Sequence, residues 1–130
     1  MPLKDRLRRA AEAWTQRAKG NLARAKQPKP DEAFWEDLCF DAQQAAEKAV
    51  KAVLVLRGVN FPRTHDIADL LAFVAEDEVP DDLWEADSLS EYATVARYPG
   101  RRPASEEDHR MAILLAERVV KWAETIIHGG

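Results

Sequence analysis

The stretch Asp41-Ala42-Gln43-Gln44-Ala45-Ala46-Glu47-Lys48-Ala49-Val50-Lys51-Ala52-Val53-Leu54-Val55-Leu56-Arg57-Gly58 decides the fold. Extended upstream through Trp35, Leu38 and Cys39, its apolar residues return at three- and four-residue steps in a band too wide for a surface helix. Alanine dominates that band, so neighbouring backbones can approach closely. These features predict a central helix over residues 31–57, capped by Asp31 and stopped at Gly58, a residue suited to a left-handed C-cap. Gln44, Lys48 and Lys51 line its polar side, with Glu47 and Lys51 as an i,i+4 ion pair.

Four further helical segments surround this one, and no strand-like alternation competes with them. Residues 3–26 place Leu3, Leu7, Ala10, Ala11, Trp14, Ala18, Leu22 and Ala25 on one stripe, with Gly20 marking a bend or a close contact. Thr64 is expected to cap a short helix with Ile67, Leu70, Leu71 and Val74 inward. Pro80-Asp81 opens a segment carrying Leu83, Ala86, Leu89, Ala93 and Ala96, which Tyr98-Pro99-Gly100 ends. Ser105 and Asp108 form a capping-box pattern ahead of a final helix to about His128. Short connections between amphipathic helices imply an all-α, antiparallel up-and-down bundle of four to five helices, one domain over residues 1–130.

Composition narrows the function classes. With 46% apolar and 32% charged residues the chain reads as a globular domain. No apolar run approaches the roughly 18 residues of a membrane span, and no hydrophobic signal region follows Met1, so a cytoplasmic location without membrane association is expected. The single cysteine, Cys39, and three dispersed histidines argue against a disulfide or a metal site, and no cofactor is expected. The net charge of −4 is unevenly spread. Residues 1–30 carry Lys4, Arg6, Arg8, Arg9, Arg17, Lys19, Arg24, Lys26 and Lys29 against Asp5 and Glu12, whereas residues 66–91 carry only acids. Such polarity fits either helix faces that attract one another or a surface for a charged partner. An acidic chain argues against unspecific DNA binding. Trp84 within the acidic segment 76–91 is a candidate contact for a basic partner.

Two polar corners could carry chemistry. In Arg63-Thr64-His65-Asp66, amides at a helix start and a neighbouring guanidinium could hold a phosphate, with His65 as donor or general acid–base. The competing reading makes Thr64 and Asp66 helix caps and gives His65 a hydrogen bond to a neighbouring element. In Arg97-Tyr98-Pro99, guanidinium and ring could clamp a nucleotide, or simply finish a helix. Glycine-rich phosphate loops, H-E-x-x-H and nucleophile-elbow motifs are missing.

The ordered set Ala42-Gln43-Gln44-Ala45-Ala46-Glu47-Lys48-Ala49, Gly58, Pro62-Arg63-Thr64-His65-Asp66 and Arg97-Tyr98-Pro99 resembles the HEPN domain family (higher eukaryotes and prokaryotes nucleotide-binding). The resemblance covers nearly the whole chain. It implies a helical bundle, usually a homodimer with a cleft between protomers, of the free-standing prokaryotic type paired with a minimal nucleotidyltransferase in toxin–antitoxin-like modules. The expected function is a non-catalytic module binding a nucleotide, a phosphate or that partner through Arg63, His65, Asp66, Arg97 and Tyr98. The alternative is a metal-independent endoribonuclease acting on RNA. Its family motif is an arginine, four to six positions, then a histidine. From Arg97 that spacing reaches Arg102, Pro103 or Ala104, not histidine; Arg102 and His109 match formally, with Pro103 and Ser105 between them.

Overall fold

The computed structural model describes residues 1–93 and 102–129. Its elements are α1 (Leu3–Ala25), α2 (Trp35–Leu56), α3 (Ile67–Leu71), a 3₁₀ turn (Glu76–Glu78), a long 3₁₀ segment (Asp81–Tyr92) and α4 (Glu106–Gly129). The chain is all-α, as its periodicity predicts. Side-chain pairs fix the helix directions. Lys48 reaches Asn21, Arg24 reaches Asp41 and Leu7 lies under Gly58, so α1 and α2 are antiparallel. Arg8 donates to the Ile127 carbonyl and Lys26 pairs with Glu117, so α1 and α4 are antiparallel too. Arg118 holds the Asp82 carbonyl and Glu85 from α4, while Arg102 and Asp108 stand near Leu89 and Tyr92. The 3₁₀ segment therefore runs against α4, which completes an up–down–up–down order.

α2 sits between α1 and α4 and supplies the middle of the core. Ala42, Ala45, Ala46, Ala49 and Ala52 are fully buried beside Val50, Val53 and Leu54. With only a methyl group on this face, the neighbouring helices come close enough to exclude water along its length. Gly58 ends the helix as predicted: its φ of 68° lies in the left-handed region, the Val59 N–H donates to the Leu54 carbonyl at 3.0 Å and the Gly58 N–H to Val55 at 3.0 Å. That is a Schellman closure.

Three local expectations need correction. Asp31 does not cap α2; the helix begins at Trp35, where the Asp37 carboxylate accepts the Phe34 N–H at 3.0 Å and so supplies the N-terminal contact from inside the first turn. Gly20 makes no close contact, since a Cβ placed there would meet nothing within 4 Å. The fourth segment is 3₁₀ rather than α through Tyr92. Its buried residues are Leu83, Ala86, Leu89 and Tyr92, a strict step of three that matches three residues per turn and stacks them on one edge. The remainder of that predicted helix, with Ala96, lies outside the described residues. The Ser105–Asp108 capping box forms as expected, with the Ser105 N–H on Asp108 at 2.9 Å and the Asp108 N–H on Ser105 Oγ at 3.1 Å.

Because Gly20 is exposed within a long helix, Gly20→Ala should stabilise the protein by about 0.5–1 kcal/mol, read from urea unfolding. A loss of stability would show that α1 departs from regular helix there.

Candidate functional site

The polar centre of the molecule is a carboxylate inside the α2 band. Glu47 is buried, four residues after the fully buried Gln43. Gln43 Nε2 donates to Glu47 Oε1 at 3.0 Å, and Lys51 Nζ donates to Oε2 at 2.8 Å. The third partner comes from the chain beyond α2: His65 Nδ1 lies 2.9 Å from Oε1. Gln43 also donates to the His65 carbonyl at 3.0 Å, so both the ring and the backbone of His65 are tied to α2. Burial pushes the Glu47 carboxyl up, but the hydrogen bonds from Lys51, Gln43 and His65 outweigh it and hold the group below its ordinary range. Glu47 is therefore ionised at neutral pH and can only accept. Nδ1 of His65 must carry the hydrogen, which leaves Nε2 as the available lone pair of the neutral ring. The His65 side chain is 63% exposed, and Nε2 has no partner among the described residues.

Around this anchor, the corner at residues 61–66 is built from side chains that face different ways. Lys51 Nζ lies 5.7 Å from the Trp14 ring centre and 5.8 Å from that of Phe61, within cation–π reach of both. Arg63 is exposed and has no ion pair among the described residues. Thr64 is not the cap of α3. Its Oγ1 accepts the Asp66 N–H at 3.0 Å one step outside the helix, and Asp66 is the cap, accepting the Asp69 N–H at 3.1 Å. The other leading amides of α3 are also taken: Ile67 donates to Ser90 Oγ at 2.9 Å and Ala68 to Asp87 Oδ1 at 2.8 Å. The expectation that these amides hold an anion is thus corrected. Side chains of the acidic 3₁₀ segment already satisfy them. The Asp69 amide lowers the Asp66 carboxyl, yet burial and the adjacent Asp87 outweigh that and raise it above the ordinary range. What the corner offers an anion is Arg63, joined by His65 when its Nε2 is protonated.

The remaining predicted residues are dispersed. Arg97 and Tyr98 lie outside the described residues, so their meeting with the corner is not described either. Arg102 pairs with Asp108 at 3.1 Å, while His109 Nε2 is bonded to the Ala25 carbonyl at 2.7 Å and its ring stacks on Trp35 with centres 5.0 Å apart. The two side chains of the formal arginine–histidine match thus have separate partners. Trp84 is exposed, Trp122 donates to the Glu78 carbonyl at 2.9 Å and Cys39 is buried in the core. Among the described residues no cluster of three or more His, Cys, Asp or Glu could hold a metal ion, and no helix is long and apolar enough to cross a membrane. Sequence reasoning missed Gln43 and Glu47 as a unit. Their signal was present: two polar residues four apart inside an otherwise apolar face.

A family model of the HEPN domain matches residues 11–126. The chain belongs to the HEPN domain family. A crystal structure of a Thermus thermophilus protein is 35% identical, covering 88% of this chain and 95% of that one at a TM-score of 0.74. A solved archaeal HEPN homologue is 30% identical, covering 90% and 97% of the two chains, also at 0.74. A candidate toxin of Methanocaldococcus jannaschii is 34% identical over 74 residues, 50% of this chain and 48% of the relative. The chain thus matches about half the length of that curated relative.

Replacing Glu47 by Gln removes the counter-charge of Lys51 and should cost about 1–3 kcal/mol near pH 7. A carboxyl held low in the folded state stabilises it above its ordinary value of 4.5, and that contribution fades as pH falls through the lowered value. Urea unfolding of wild type and Glu47→Gln should therefore converge as pH falls below 4.5 and through the lowered value. A gap that widens on acidification would contradict the assignment.

Proposed function

We propose that this HEPN domain is a phosphate-recognising binding module in which Arg63 donates to a nucleotide or RNA phosphate and His65 donates to it from Nε2 when the ring takes up a second proton there. Asp66 keeps the corner rigid by capping α3, and Arg97 and Tyr98, outside the described residues, are the further ligand contacts of this reading. One observation carries the reading. A buried, ionised Glu47 fixes the His65 ring by Nδ1 and leaves Nε2 without a partner, two residues after the exposed Arg63, whose guanidinium has no ion pair among the described residues. Internal pairing would have spent that guanidinium on stability; left open, it is available to a ligand anion. The module works as a homodimer with a minimal nucleotidyltransferase partner in a toxin–antitoxin-type pair. The naming of the M. jannaschii relative as a candidate toxin supports that setting.

A second reading, endoribonuclease action on RNA, is favoured by the same dyad. A carboxylate–imidazole pair with a free Nε2 has the arrangement of a general base, and Arg63 could stabilise charge developing on the phosphate. Arg102 and His109 serve this reading less well, because each is engaged elsewhere.

Calorimetry with a nucleoside triphosphate and with a short RNA separates the outcomes. Arg63→Ala should weaken phosphate-dependent binding at least tenfold while leaving the unfolding free energy within about 0.5 kcal/mol of wild type, as for an exposed side chain. Unchanged affinity would remove the corner as a phosphate site. Cleavage of the RNA, lost in His65→Ala, would replace the binding reading by the catalytic one.

A further inference from the structure

Beside the corner, the outer side of α1 and Lys48 of α2 shape an open surface depression of about 490 Å³ lined by Ala10, Ala13, Trp14, Arg17 and Lys48. Its origin is compositional: the methyl groups of Ala10 and Ala13 leave room that a longer side chain would fill, and the Trp14 indole forms one wall. The size suits a ligand of nucleotide dimensions. Its charge is uncompensated. Arg17 is exposed and has no ion pair among the described residues. Among the described residues Lys48 bonds only to the neutral Asn21 side chain, at 2.7 Å. The acids that could answer Lys48 are committed elsewhere, Asp41 to a two-pronged contact with Arg24 and Glu47 to Lys51 and His65. Burial lowers the Lys48 ammonium, and Arg17 and Arg24 add to this against the opposing pull of Glu47 and Asp41. A bound anion would relieve that repulsion.

The depression also connects to the corner. Lys51, one turn from Lys48, touches both the Trp14 and Phe61 rings and shares Glu47 with His65. Cation, aromatic ring, cation and ring thus alternate from Arg17 through Trp14 and Lys51 to Phe61 and Arg63. Lys51 is paired with Glu47 and orients the two rings, while Arg17 and Arg63 at the ends carry the open charge; that arrangement suits a single-stranded nucleic acid, whose phosphates seek cations and whose bases stack on aromatic faces. A protein acidic segment would use the cations but leave the indole wall idle. It also gives the basic bias of residues 1–30 a use, since Arg17 belongs to it.

We propose that the Trp14–Arg17–Lys48 depression is a nucleotide subsite of its own, holding a base against Trp14 and a phosphate between Arg17 and Lys48, and that a single-stranded RNA crosses from it to the Arg63–His65 corner. The subsite stands without the corner; the crossing strand rests on the corner reading as well.

Titration calorimetry with adenosine monophosphate and with an eight-nucleotide single-stranded RNA, on the full chain, tests this. Wild type should bind the RNA at least tenfold tighter than the mononucleotide. Arg17→Glu should weaken RNA binding at least tenfold and flatten its salt dependence by about one phosphate contact. Arg17 is exposed and has no ion pair to lose among the described residues, so this variant keeps its fold, and Lys48→Met provides a second substitution in the same subsite. RNA affinity unchanged in both variants would overturn the subsite. Equal affinity for mononucleotide and RNA, with both weakened by Arg17→Glu, would keep the subsite and overturn the strand. If Arg63→Ala is silent while Arg17→Glu weakens binding, the corner fails and the subsite survives; the reverse pattern eliminates the subsite alone.

Discussion

A single buried carboxylate organises the polar half of this bundle. Glu47 lies in the helix that every other long element packs against, and its two oxygens accept from Gln43, Lys51 and His65. A charge in that position is stable only if its hydrogen bonds are complete, because an unpaired carboxylate in a packed interior is strongly disfavoured. Completing them requires His65 to fold back onto α2, and this brings the whole segment after Gly58 against the bundle. The orientation of the outer surface is therefore set from within. Lys51 is held under Trp14 and Phe61, and Arg63 projects from a segment whose neighbours are all tied down.

The division of labour between the two faces of α2 follows from side-chain size and charge. On its apolar face alanines let α1 and α4 close in, which buries backbone and leaves little space for polar groups. At the edge of that face Gln43, Glu47 and Lys51 bond to one another, while Lys48 reaches Asn21 and Lys51 lies near Trp14 of α1. Polar groups confined this way settle into pairs, and those that find no opposite charge, such as Arg17, remain at the surface. The acidic 3₁₀ segment behaves differently. Asp87 and Ser90 turn inward to the amides of α3, so part of the negative charge of residues 66–91 serves as a helix cap rather than as a partner surface.

Most of the architecture was legible in the chain because long apolar periodicities and terminators carry it: the α2 band, Gly58 and the Ser105 box each do what their residue types require. The 3₁₀ segment was misjudged because Leu83, Ala86 and Leu89 satisfy a step of three as well as a helical pattern, and only packing against α3 and α4 selects between them. Asp31 and Thr64 have good capping chemistry, but the helices start further on, where Asp37 and Asp66 stand in the position to take the contact. Of the candidate site, Arg63 and His65 were visible as residue types. Their support was not, since Glu47 is 18 residues from His65 and only the fold brings them together.

The tautomer of His65 tests this account most directly. If Glu47 is the ionised anchor, nitrogen-15 spectra of the protein above the histidine titration should show Nδ1 protonated and Nε2 as the bare nitrogen, and Glu47→Gln should abolish that preference. A neutral ring protonated at Nε2 in the wild-type protein would contradict the anchoring of the corner by Glu47.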